Sequence, residues 1–157
     1  MNTRAPDGLP VVHTLADLAD LVEGHEGLYV RWSRGPGTDL DDVSGTRGAS
    51  STDELTGVPM PGLSASPLDV EDWWEDRPVR VWVARRLHDY AHLPHEKGPG
   101  VRPWVVTGRE NGRGPDNEPL VTDARPVCWI DDAVIEEARG VVERQERPWG
   151  PLRRGGR

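Results

Sequence analysis

Arg109-Glu110-Asn111-Gly112-Arg113-Gly114-Pro115-Asp116-Asn117-Glu118-Pro119 separates two apolar runs, Trp104-Val105-Val106 before it and Leu120-Val121 after it. Both flanks are short and β-like, so the stretch between them reads as a shaped connection between strands. Glycine and proline favour a defined turn over slack linker, and the run delivers a carboxylate, Glu118, to the mouth of the next strand. A third β-like run, Val127-Cys128-Trp129-Ile130, follows closely. Three short strands are therefore expected late in the chain.

Upstream, Leu28-Tyr29-Val30-Arg31-Trp32-Ser33 alternates: Leu28, Val30 and Trp32 share one face, and Tyr29, Arg31 and Ser33 the other. This predicts a strand with one polar face, closed by the turn Arg34-Gly35-Pro36-Gly37. Helices bracket the strands. Thr14 caps a first helix that places Leu15, Leu18, Ala19 and Val22 on one face as far as Gly24. Asp76 and Pro78 start a second, with Val79, Trp82, Val83, Leu87 and Tyr90 at helical spacing down to Pro94. Asp131 caps a third, with Val134, Ile135, Ala138, Val141 and Val142 on its apolar side. The expected fold is α+β: one compact domain over residues 1–146, with a small mixed or antiparallel sheet flanked by about three helices. Residues 38–58 are rich in Asp, Ser, Thr and Gly and predict a mobile loop, and 147–157 a basic, flexible tail.

Composition narrows the function classes. The chain has 157 residues and a formal charge of -8, which disfavours a phosphate-backbone partner, so no nucleic-acid binding is expected. Lys97 is the only lysine; with no Phe and abundant Gly, Pro and Ala, the arginine excess has the look of a GC-rich genome. Cys128 has no second cysteine to pair with, which fits a reducing compartment. No basic leader or membrane-length apolar run is visible, and a cytoplasmic protein is expected.

Several chemistries lack their residues. Lys97 is followed by Gly-Pro-Gly, so a phosphate-binding lysine loop is absent. Gly112 and Gly114 precede a proline-containing segment and not a helix N-terminus, which removes a dinucleotide seat. In Gly62-Leu63-Ser64-Ala65-Ser66 the second glycine of a nucleophile elbow is replaced by Ser66. His88, His92 and His95 have helical spacing, but Pro94 interrupts the helix before His95, and no metal site is expected.

The candidate site gathers polar breaks in the apolar pattern. Arg31 lies on the polar face of its strand, Ser64 and Ser66 lie in a proline-bounded segment, and Glu118 starts a strand after a glycine loop. An arginine fork suits a diphosphate, a serine hydroxyl orients a sugar or amide, and a carboxylate can hold a ribose hydroxyl and steady an oxocarbenium-like transition state. These are the needs of ADP-ribosyl transfer from NAD, with Glu118 as the candidate catalytic residue and Arg31, Ser64, Ser66, Arg113 and Asn117 as binding candidates. NAD would be substrate, and no resident cofactor is expected. The plainer reading pairs Arg31 with Glu118 or Asp116 across strands and uses the serines to cap or turn the chain. The domain is then a binding or interaction module for an unknown protein or small-molecule partner, and this is the primary expectation.

Two resemblances accompany these residues. The runs Leu28 to Pro36, Gly62 to Leu68 and Gly112 to Leu120 resemble an uncharacterised actinobacterial family, a domain of unknown function. The order of arginine on an early strand, a central serine motif and a late glutamate resembles the arginine-serine-glutamate class of ADP-ribosyltransferases. That second resemblance implies a cleft formed by Arg31, Ser64 and Glu118.

Overall fold

The computed structural model describes residues 4–40, 62–89, 98, 100–114 and 118–144. In chain order these form β1 (Val11–Val12), α1 (Leu15–Gly24), β2 (Leu28–Ser33), the single-turn α2 (Pro36–Asp39), β3 (Leu63–Ser64) and β4 (Ser66–Pro67). A 3-10 turn (Asp72–Trp74), α3 (Val79–Asp89), β5 (Arg102–Arg113), β6 (Pro119–Ile130) and α4 (Asp132–Glu143) follow. Most of the segment expected to be a mobile loop, the 147–157 tail, Asp116, Asn117, His92 and His95 lie outside the described residues.

Within the stretch from Arg109 to Pro119, residues 109–113 and Pro119 are strand. Three short strands were expected; instead β5 and β6, twelve residues each, run antiparallel as one long hairpin. Residues as polar as Arg109, Glu110 and Arg113 keep pairing with Thr122, Val121 and Pro119, because ladder hydrogen bonds come from backbone groups whatever the side chains. The register shifts between Val105 and Val106, Thr107 and Arg109, and Glu110 and Arg113. Asp123 takes a positive φ of 54° within this irregular part of β6. Bulges of this kind bend a strand and increase its twist.

That bend lets the sheet curl onto itself. β5 pairs with β2, β2 with β4, and β6 with β3 and, in parallel, with β1. Since β3 and β4 are consecutive, the 63–67 segment bonds to β6 at one end and to β2 at the other. It closes the curl. Both faces of β2 are therefore covered, and its expected polar face is corrected: Tyr29 and Ser33 are only 8% and 7% exposed.

Each face has its own core. Away from the curl, Leu28, Val30, Val105, Cys128 and Ile130 pack with α1, α3 and α4 through Leu18, Val83, Leu87, Val134 and Ala138. Within the curl, Tyr29, Leu63, Ala65, Trp104, Val106, Val121 and Trp129 pack together, with Ala5, Leu9 and Leu40 against them. The result is one α+β domain with a curled mixed sheet and three helices of ten to twelve residues.

Local signals placed the helices correctly. The Thr14 hydroxyl accepts the Asp17 N–H at 3.0 Å and Asp131 accepts the Ala133 N–H at 3.2 Å, each satisfying an end-of-helix donor. The indoles of Trp32, Trp82, Trp104 and Trp129 are buried as expected. Of the adjacent pair, Trp74 is buried and Trp73 half-buried, the two rings meeting edge to face at 5.8 Å.

Candidate functional site

Arg31 leaves β2 toward the inside of the curl, two residues along from Tyr29. Its Nε donates to Asp39 Oδ2 at 2.7 Å, and its Nη1 donates to the backbone carbonyl of Ser64, also at 2.7 Å. Both members of the ion pair are nearly enclosed, at 13% and 11% side-chain exposure. The β2–β4 ladder stops after Val30 pairs with Ser66, so the guanidinium takes up a carbonyl just beyond the last ladder position. Asp39 is thus a carboxylate partner of Arg31 outside the expected choice of Glu118 or Asp116, of which Asp116 lies outside the described residues.

Asp39 is also the acceptor for the Ser33 hydroxyl. Ser33 Oγ in turn receives the Gly35 N–H at 3.1 Å and the Trp104 indole N–H at 2.9 Å. One buried network thus ties β2, the α2 turn, β5 and the 63–67 segment together. A partly satisfied network of this type is costly, whereas a completed one rigidifies. Gly35 is needed for it: φ is +118°, and a Cβ there would lie 2.5 Å from the Trp129 ring.

Ser64 touches Glu118 through its side chain, Oγ to Oε2 at 3.5 Å, the long end of a hydrogen bond. Glu118 also folds back over Gly114, where an added Cβ would strike the carboxylate, and Gly114 N donates to the Glu118 carbonyl at 2.8 Å. The carboxylate therefore closes the tip of the β5–β6 hairpin. Arg113 lies at that tip and pairs with Glu110 at 3.2 Å, and Glu110 accepts weakly from the Tyr29 hydroxyl at 3.4 Å. Burial and the Glu110 charge push the Tyr29 phenol above its ordinary value.

Arg31, Ser64 and Glu118 are thus linked in series: the Ser64 carbonyl accepts from the guanidinium and the Ser64 hydroxyl donates to the carboxylate. Leu63 and Ala65 point into the curl with Tyr29, so alternation sends Ser64 and Ser66 to the opposite side of the segment. The described contact of the guanidinium with Ser64 is to its main-chain carbonyl. Ser66 stands opposite Val30, on the side of the strand that faces the helices. Asn117 lies outside the described residues.

Sequence reading overlooked Asp39, which falls inside the segment assigned to a loop. Its one local signal was Pro36, three residues earlier, which suits the first turn of a helix. It overlooked a second pair as well: His13 Nδ1 meets Asp131 Oδ2 at 2.5 Å across 118 positions, a separation without local signature. Among the described residues no group of three or more His, Cys, Asp or Glu side chains could hold a metal ion, and no helix is long and apolar enough to cross a membrane. Cys128 is buried, and desolvation pushes its thiol up to about 12.

No curated protein and no solved structure matches this chain. The model of a family of unknown function, DUF6098, matches residues 5–150, and it is to this family that the chain belongs.

Proposed function

We propose that the domain is a cytoplasmic binding or interaction module whose contact surface is the distal half of the β5–β6 hairpin. The observation that carries this reading is the engagement of Arg31 by Asp39 and by the Ser64 carbonyl. A guanidinium that completes an internal network holds the scaffold, whereas a diphosphate ligand would have to displace Asp39. The hairpin beyond it is exposed. Arg109, Glu110, Arg113, Asp123 and Arg125 all face solvent there, with both charge signs interspersed, which favours a polar protein partner over a phosphate backbone.

The experiment is affinity capture from the native host with the intact domain and with an Arg109→Glu/Arg125→Glu variant. A reproducible partner captured by the first and lost by the second supports the module. Recovery of the same set by both would sink it.

The second reading is an ADP-ribosyltransferase-like enzyme using NAD, and the observation favouring it is the Ser64 Oγ to Glu118 Oε2 contact. It requires that millimolar NAD raise the melting temperature, and that Glu118→Gln leave folding intact while abolishing NAD turnover. An unchanged melting temperature with NAD removes it.

A further inference from the structure

Two positions in the chain set an asparagine or aspartate directly before a glycine, Asn111-Gly112 and Asp7-Gly8. In such a pair the glycine amide nitrogen can close a five-membered ring on the preceding side-chain carbonyl carbon, and glycine has no Cβ to hinder the approach. Asparagine is the more reactive of the two, because its amide is neutral and an ionised carboxylate is a poor electrophile. The fold treats the two pairs in opposite ways.

At Asp7-Gly8 both ends of the ring that would form are held. Gly8 N donates to the Ala5 carbonyl at 2.8 Å. Asp7 Oδ1 accepts the Leu9 N–H at 3.1 Å, and Oδ2 accepts the Trp129 indole N–H at 3.0 Å. At Asn111-Gly112 the ladder is broken instead. β5 and β6 pair at Glu110 with Val121 and at Arg113 with Pro119, so two residues of β5 stand against Leu120 alone. This is a β-bulge, which disrupts the hydrogen bonding of the strand locally. Asn111 and Gly112 are both exposed, Gly112 has a φ of +83°, and no atom lies within 4 Å of the place where its Cβ would stand.

We infer that Asn111 is a site of spontaneous deamidation, which adds a carboxylate to the exposed half of the β5–β6 hairpin. The Gly112 amide nitrogen bonds to Asn111 Cγ, the bond from Cγ to the side-chain nitrogen breaks, and that nitrogen leaves as ammonia with the proton from Gly112. The product is a succinimide. Water then opens the ring: cleavage at Cγ gives aspartate, and cleavage at the main-chain carbonyl gives isoaspartate, whose backbone is one methylene longer. The net change is gain of water and loss of ammonia, with no oxidant or reductant. Aspartate places a negative charge between Glu110 and Arg113, which pair with each other at 3.2 Å. Isoaspartate also lengthens β5 at the bulge. This chemistry does not depend on the reading of the hairpin as a contact surface; on that reading, it shifts the surface from mixed charge toward acidic.

Mass-spectrometric peptide mapping of the full chain, incubated at mildly alkaline pH, tests this, with the same protein in guanidinium chloride as the unfolded reference. The expected result is a gain of about 1 Da at Asn111, accumulating in the folded protein within about tenfold of the unfolded rate. Asn2 and Asn117, which precede Thr3 and Glu118, should convert more slowly than Asn111 in both conditions. Asp7 should form isoaspartate in denaturant and not in the folded protein. Asn111→Gln, whose longer side chain must close a six-membered ring, should abolish the gain in that peptide. An Asn111 that stays intact in the folded protein while converting in denaturant overturns the inference. So does a gain in the same peptide that persists in Asn111→Gln.

Discussion

Arg31 donates to the backbone carbonyl of Ser64, whose hydroxyl donates to Glu118. Ser64 thus links the arginine and the carboxylate, by its main chain to the one and by its side chain to the other. Arg31 and Glu118 do different jobs: one completes the closure of the sheet, and the other closes a hairpin tip.

Removing one member of the Arg31–Asp39 pair leaves the other charge enclosed. Arg31→Met is expected to lower unfolding free energy by about 3 kcal/mol in urea denaturation. The double change Arg31→Met/Asp39→Leu should recover only part of that loss, because the Ser33 hydroxyl and the Ser64 carbonyl lose these partners. A single variant within about 0.5 kcal/mol of the unaltered protein would contradict the structural role assigned to the pair.

Gly35→Ala meets both a positive φ and the Trp129 ring, and is expected to cost about 2 kcal/mol or more. Gly37 has open space around its Cα, so Gly37→Ala is the matched control and should be nearly neutral. Thermal melts of the two variants should separate clearly; coincident melts would mean that the 34–40 turn does not pack on Trp129.

The Cys128 thiol is buried and pushed up to about 12, so little thiolate exists at mildly alkaline pH. A disulfide reagent added to the native protein should label Cys128 only as fast as the domain unfolds. Immediate labelling in denaturant and slow labelling in buffer is the expected pair of results, and fast labelling in buffer contradicts the burial.

Tyr29 titrates above its ordinary 10.0, chiefly through burial and then through Glu110. Its ionised form is the disfavoured one in the fold. Its contribution to stability is therefore intact below 10.0 and is lost as pH rises through that value toward the raised one. Phenolate absorbance in a Tyr90→Phe background should follow Tyr29 alone, and Glu110→Gln should move the midpoint back only in part. A midpoint at or below that of free tyrosine would show that the phenol is not enclosed.

Much of the architecture was legible in the residues themselves. Thr14 and Asp131 announced helix starts, the alternation from Leu28 to Ser33 defined β2, and the spacing from Val79 to Leu87 resolved a helix where an alternating reading also fitted. These signals are local, because a capping oxygen or a repeating apolar position acts within a few residues. The ends of β5 and β6 were not legible. Arg109 to Arg113 pair through backbone groups that every residue carries, so their charge disguised a strand as a loop.

The candidate site divided along the same line. The sequence by itself determined that Arg31, Ser64 and Glu118 interrupt apolar patterns, and that β2 puts Arg31 on the face opposite Trp32. Only the tertiary structure decided which acid Arg31 meets, which side of the 63–67 segment each serine faces, and that β2 is covered on both faces. Alternation assigns side chains to two faces but carries no information on what lies against either. That depends on a closure between β2 and β6 made through two two-residue strands, each too short to have a period of its own.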